Sequence, residues 1–297
     1  MSQEQPLLEP QLFRTSSYER VVRTRPISPV TARRRRGVPT RWRPVLLGTA
    51  SLLLWLALWQ SASVNQLNFF FRFENIPAPT QVAVATVEML TAPKFAAHVM
   101  NSIRRIALGF SLASLLAVGL GLLIGRIRVA AEGLMPALEV LRPIPAVAWI
   151  PIAILLFASA EQSMVFITFI GAFFPILLST IHGVEGVERR LVDAALSLGA
   201  GPLEVLREVI LPGALPSIVT GLSIGMGNSW FSLVTAEMIS GQFGIGYYTW
   251  ESYTLQKYPN IVVGMISIGV LGLGSSLLVR RAGRRLMPWL GDTAGAT

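Results

Sequence analysis

Across 297 residues, 52% are hydrophobic, 14% are charged and none is cysteine. Soluble domains carry roughly a quarter charged residues, so this balance excludes an ordinary water-soluble domain, and the missing cysteines exclude disulfides, thiolate chemistry and sulfur-ligated metals. The net charge of +9 is gathered beside apolar runs rather than interleaved with aromatics, which sets aside nucleic-acid binding and points to an all-α, polytopic membrane bundle in contact with lipid.

Residues 1–43 hold ten arginines, Arg33 to Arg36 among them, against three glutamates. Rich in Pro, Ser and Thr and without periodicity, they read as a basic, largely disordered cytoplasmic tail. They are too long for a signal peptide, and the first apolar run lacks a small-x-small cleavage site, so that run stays as a span. Residues 44–285 form a transmembrane domain with six predicted spans, at residues 45–62, 106–124, 146–158, 164–181, 215–235 and 261–279. The third is short and bounded by Pro143, Pro145 and Pro151. Residues 286–297 are a C-terminal tail.

The links between spans set the orientation. Arg126 and Arg128 follow span two, and Arg189, Arg190 and Arg207 follow span four. The links after spans three and five hold Glu237, Glu251 and only Lys257. Both termini and the even-numbered links are therefore placed in the cytoplasm. Arg104 and Arg105 run against this pattern, and the sequence puts them on an amphipathic turn at the outer interface with snorkelling stems.

The longest interior cytoplasmic link carries "DAALSLGAGPLEVLREVILP", residues 193–212. Good helix formers run from Arg189 to Leu198, with Ala194, Ala195 and Leu198 near one face. Gly199 is placed to end that helix in a left-handed conformation, and Gly201-Pro202 to start another. The second is amphipathic, with Leu203, Leu206 and Ile210 set against Glu204, Arg207 and Glu208. Such a small-tipped elbow suits insertion into a groove on another protein, or an ordinary amphipathic link on the membrane surface; physics alone leaves both open.

The string Asp193, Ala194, Ala195, Gly199, Ala200, then Leu211 and Pro212, resembles the EAA loop of binding-protein-dependent ABC importer permeases, with Asp193 where Glu is usual. "HVMNSIRRIALGF" (98–110), "LRPIPAVAWIPIAILLF" (141–157) and "AEMISGQFGIGYYTW" (236–250) are similar to the branch serving nitrate, sulfonates, bicarbonate and taurine. The resemblance covers about residues 44–285. It implies a type I importer permease fold and a coupling loop, residues 189–212, that docks on an ATPase subunit. It also implies an assembly of two permease copies, two ABC ATPases and an external solute-binding protein, in the inner membrane.

No phosphate-binding G-x-x-x-x-G-K-[ST] occurs, so if transport is ATP-driven the motor, with its ATP and Mg, is a separate ATPase chain, and this chain is expected to carry no cofactor and to be no enzyme. Nor is there a metalloprotease motif or a paired-carboxylate site. His98 and His182 read as interfacial hydrogen-bonding groups, not metal ligands. A secondary transporter or channel independent of an ATPase is the rival reading; it calls for ionisable residues buried for ion coupling, or repeated halves, and neither is evident.

Polar residues inside a span are costly and face a cavity or a neighbouring helix. Span five gathers Ser223, Asn228, Ser229, Trp230, Ser232 and Thr235, candidates for a translocation pathway beside a second copy, with helix–helix hydrogen bonding as the competing reading. Glu237 at its outer end is expected to be paired, with Arg105 or with Lys257. The solute implied by the resemblance is a small anion such as nitrate, bicarbonate, an aliphatic sulfonate or taurine.

Overall fold

A computed structural model describes residues 43–67 and 73–289. The expectation of a disordered basic tail lies outside the described residues, as does most of the C-terminal tail. Helices and turns account for the described secondary structure, with no strand among the described residues.

The chain divides into residues 1–53 and residues 54–297. In the first unit the described part is the start of α1 (Arg43–Val64), where Leu46, Leu47, Leu52 and Leu53 are all exposed. A helix apolar all round its circumference is stable where the solvent is lipid.

The second unit holds α2 (Pro79–Thr91), α3 (Pro93–Arg126), α4 (Arg128–Leu141), a 3-10 turn (Ala146–Trp149), α5 (Ile150–Leu156) and α6 (Ala160–Glu185). Then come α7 (Arg189–Ser197), α8 (Pro202–Val205), a π turn (Leu206–Ile210), α9 (Leu211–Ser240), α10 (Ile245–Thr254) and α11 (Tyr258–Arg285). Among the described residues five helices are long and apolar enough to cross a membrane. Counting α4 and the 3-10/α5 segment, bent by 86°, as one broken span gives six.

Helix directions follow from where small residues let neighbours approach. A side chain at Gly109, Gly121 or Gly125 of α3 would meet the Cβ atoms of Thr168, Thr180 and Val184 on α6 at 2.7, 2.6 and 2.8 Å. Those distances leave no room for more than hydrogen, which is how small residues bring membrane helices together. Both sets of numbers rise together, so α3 and α6 run parallel. Gly183 of α6 lies against Ser217 of α9, and Gly171 against Asn228 and Ser232, so α9 runs antiparallel to α6. Gly283 and Gly272 of α11 meet Val219 and Trp230, so α11 is antiparallel to α9.

Parallel α3 and α6 require the chain between them to cross back. The predicted span at residues 146–158 does not do this alone, because the 3-10 turn and α5 have only four and seven residues. At 1.5–2.0 Å rise per residue they cover roughly half of a hydrocarbon core about 30 Å thick. The crossing therefore includes α4. Glu132 and Glu139 dilute the hydropathy of α4, and Pro143 and Pro145 break the helix after it.

Span two is also longer than the sequence suggests. At 34 residues α3 begins at Pro93, so Arg104 and Arg105 sit within a regular helix rather than on an interfacial turn. Arg104 is exposed, whereas Arg105 is buried. The core lies where α6 packs between α3 and α9, around Ala113, Ala117, Ile176 and Leu177 on one side and Met164, Ile167, Trp230 and Leu233 on the other.

Candidate functional site

The elbow at residues 189–212 is built by local backbone chemistry. Gly199 has φ +88°, a conformation open to glycine at little cost. With it, the Ala200 N–H reaches back to the Ala195 carbonyl at 3.0 Å and closes α7. Gly201 then caps α8. Its N–H donates to Glu204 Oε2 at 2.7 Å, and Pro202 occupies the first helical position, where its missing N–H costs nothing.

Ala195, Ala200 and Leu211 lie against a cluster of Val184, Val205, Ile210, Ala214 and Ile218. Pro212 is half-buried at the start of α9, while Asp193, Ala194 and Gly199 face outward. They do so beside a bare apolar tip, Leu191, Leu196, Leu203 and Leu198, the last 90% exposed.

The sequence places Leu203, Leu206 and Ile210 on one apolar face. In the structure Ile210 is buried and Leu206 packs against the same cluster, but Val205, five positions before Ile210, is buried in place of Leu203, which lies outside. The cause is the π turn, in which the Leu211 N–H bonds to the Leu206 carbonyl. Pro212 has no N–H to continue an α-helical ladder, so the widened turn re-pairs what remains. Beyond it the buried face resumes at four-residue spacing through Ala214 and Ile218.

The polar residues of α9 separate into two groups. Ser223 and Thr235 donate to carbonyls in their own helix, Val219 at 2.9 Å and Phe231 at 2.9 Å. Ser229 reaches the Thr168 carbonyl of α6 at 3.3 Å, and Trp230 Nε1 donates to Ser275 Oγ of α11 at 2.8 Å. These four make helix-internal or helix–helix bonds. Asn228 and Ser232 make no side-chain hydrogen bond and line a cleft of about 470 Å³ with Arg142, Pro145 and Phe231. Arg142 stands in the quoted "LRPIP" segment, but sequence reasoning assigned it no role.

At the far end of α9 from the elbow lies a buried ionic cluster. Arg105 is 1% exposed and Glu237 is fully buried. Arg105 Nη1 donates to Glu237 Oε1 at 2.8 Å and to the Phe243 carbonyl at 2.6 Å. Its Nε donates to Glu161 Oε2 at 2.9 Å, and Nη2 pairs with Glu161 Oε1, so one planar fork holds α3, α6 and α9 together. Of the two partners left open for Glu237, the structure selects Arg105 over Lys257. Glu161 has no sequence signal beyond its place in the first turn of α6.

The glycines of "SGQFGIG" fit this cluster. Gly241, at φ +66°, ends α9. A side chain on Gly244 would collide with the Glu237 carboxylate, and one on Gly246 with the Val234 carbonyl. The Gly246 N–H donates to Glu237 Oε2 at 2.9 Å, and Ser102 Oγ donates to Oε1 at 2.7 Å. His98 Nδ1 accepts the Gly244 N–H at 3.0 Å, which places its ring proton on Nε2. The imidazole stacks on Phe243 at 5.2 Å. Arg105 and Glu237 are both held by several neighbours, so the cluster acts as a clasp.

Residues 117–291 match the family described as binding-protein-dependent transport system inner membrane component. The chain is 46% identical over 173 residues to a protein of Methanocaldococcus jannaschii named as an ABC transporter permease; the match covers 58% of this chain and 65% of that one. It is 35% identical over 208 residues to a nitrate import permease protein of Synechocystis sp., covering 67% and 76% of the two chains. With the taurine transport system permease protein of Escherichia coli it shares 32% identity over 261 residues, 85% and 94% of the two. On the family match, the several apolar crossings and these relatives together, this multi-pass membrane chain belongs to the binding-protein-dependent transport system inner membrane components, the permeases of ABC importers.

Proposed function

We propose that this permease carries a small oxyanion, in the class of nitrate, bicarbonate, an aliphatic sulfonate or taurine. The solute is delivered by a solute-binding protein at the outer face, and two ATPase subunits supply ATP and Mg chemistry from the cytoplasm. The nitrate and taurine permeases among its relatives support the solute class. The exposed apolar tip of the elbow supports the docking of an ATPase, and it is the single observation that carries the mechanism.

Arg126, Arg128, Arg189, Arg190 and the four arginines from Arg280 to Arg285 lie at the ends of α3, α4, α7 and α11 on the elbow's side. Positive charge at one end of a bundle favours the cytoplasm, which supports placing the elbow and the end of α11 there. Two copies meet along α9. Thr220, Ile224, Gly227, Asn228 and Phe231 are exposed on one stripe of that helix, and Asn228 is too polar for lipid.

In this mechanism the ATPases close on ATP, the elbow moves with them, and α9 transmits the displacement to the paired stripes. Since the natural chain has no cysteine, Leu198→Cys is a clean probe. It is expected to crosslink to a cysteine in the groove of the co-purified ATPase, and ATP-driven uptake by the assembled complex is expected to fall on crosslinking. Uptake of the anion at full rate without nucleotide would remove the whole reading.

A further inference from the structure

The cleft beside the broken α4–α5 crossing combines features that nothing in the clasp or the elbow explains. It is lined by an exposed arginine, an amide and a buried hydroxyl, and among its lining residues there is no carboxylate. Its volume of about 470 Å³ falls in the range of small-molecule sites, roughly 300–1,000 Å³.

Its depth is fixed by α9. Asn228 and Ser232 lie near the middle of a helix that runs from Leu211 to Ser240. Arg142, at the end of the 14-residue α4, lines the same cleft, which puts a cationic side chain on a cavity within the apolar thickness. A cation there is expensive unless it faces a partner or a water-filled path. Among the described residues Arg142 has no ion-pair partner, unlike Arg105 and Arg128.

Ser232 gives an independent sign. It is 2% exposed, yet its hydroxyl makes no hydrogen bond, whereas Thr220, Ser223 and Thr235 on the same helix each bond to a carbonyl one turn back. A side chain that could satisfy itself locally and does not is available to something in the cleft. The backbone adds a third. After Arg142, which keeps helical dihedrals as the cap of α4, residues 143–145 lie outside any helix before the 3-10 turn, and irregular backbone at membrane depth is tolerated where it lines a cavity.

We propose that Arg142, Asn228 and Ser232 form a weak oxyanion station midway along the permease, where the carried anion is held by a guanidinium fork, an amide N–H and a hydroxyl. The proposal rests on the reading of the solute as a small oxyanion and adds the residues that select it. A planar guanidinium pairs with two oxygens of a nitrate, carboxylate or sulfonate group at once, which an ammonium cannot do. The open side of the cleft, with Phe231 at its rim, leaves the site shallow and the hold brief, as passage requires.

The test uses the complex with its ATPase and binding protein in proteoliposomes, with labelled nitrate and labelled taurine as probes. Arg142→Gln is expected to lower the anion moved per ATP hydrolysed by about tenfold, and Arg142→Lys to fall between, keeping the charge but losing the fork. Should Arg142→Gln fail to assemble, Asn228→Asp, which sets a carboxylate in the same cleft, is expected to give a similar loss. An unchanged ratio in either variant overturns the station and leaves the oxyanion reading standing. A wild-type complex that carries only uncharged solutes removes the oxyanion reading and the station with it.

Discussion

Arg105 and Glu237 illustrate how a buried charge pair at the end of a membrane helix is made tolerable. Two ions removed from water lose hydration worth several kcal/mol each, and their mutual attraction offsets this only with good geometry and further hydrogen bonds. Both conditions hold, since Glu237 accepts from Arg105, Ser102 and the Gly246 backbone. Glu237→Ala leaves the guanidinium facing an empty site and is expected to cost about 3–5 kcal/mol. It should appear as a lowered thermal unfolding midpoint of the purified protein in detergent. Arg105→Met combined with Glu237→Met is expected to recover most of that loss, and an equal midpoint for Glu237→Ala and wild type would contradict the clasp. At this scale the sequence was half legible. A lone glutamate at a span end called for a partner and Arg105 was one of two candidates, but the arginine itself was read as snorkelling at the interface. Glu161 gave no such sign, because its pairing depends on α3 packing directly against α6 and extending outward far enough to bring Arg105 beside it. The polar residues of α9 were legible as a group, but which of them bond to neighbouring helices depends on their rotation about the axis.

Among the elements, the elbow and α9 are joined by a π turn, and that extra residue sets their relative rotation. An α-helix turns about 100° per residue, so removing one residue from the π turn keeps helical continuity while swinging the elbow by about that angle. Deletion of Glu208, an exposed position in the turn, is expected to leave the protein folded and inserted. It is also expected to abolish the stimulation of ATPase activity by loaded binding protein in the reconstituted complex. Stimulation at the wild-type level would show that the rotation carries no information. Gly199 and Gly201-Pro202 announced the break between α7 and α8 in the sequence because each has a specific backbone role. The π turn did not, since Leu203, Leu206 and Ile210 satisfy an ordinary helical period. The prolines around residue 145 were read as bounding a short third span, and that it is half of a broken crossing was hidden by the two glutamates of α4.

For the whole molecule, the number of crossings was legible from apolar length and their alternation from the arginines of the links, whereas which helices touch, and at what register, emerges only from the glycines against Thr168, Thr180 and Val184. Alternating directions bring the C-terminal ends of α3, α6 and α11 to the elbow's side and the clasp to the other. One protomer leaves the stripe of α9 at Gly227 and Asn228 uncovered, which accords with a path formed between two copies. Gly227 has open space around it, so Gly227→Cys is expected to fold normally and to form an intermolecular disulfide under mild oxidation in membranes. A chain that stays monomeric on a non-reducing gel under conditions that oxidise a control cysteine would count against pairing along α9.

The distance between elbow and clasp has a mechanical corollary. From Ile210 to Glu237 the helix spans about 40 Å at 1.5 Å per residue. If the clasp acts as a fulcrum, rocking α9 by about 5° sweeps its opposite tip through roughly 3 Å and its midpoint through roughly half that. Driven at the elbow, such a lever gives up travel for force at its midpoint, so a stiff anchorage at one extremity turns modest subunit movements at the other into smaller, stronger displacements halfway along the helix.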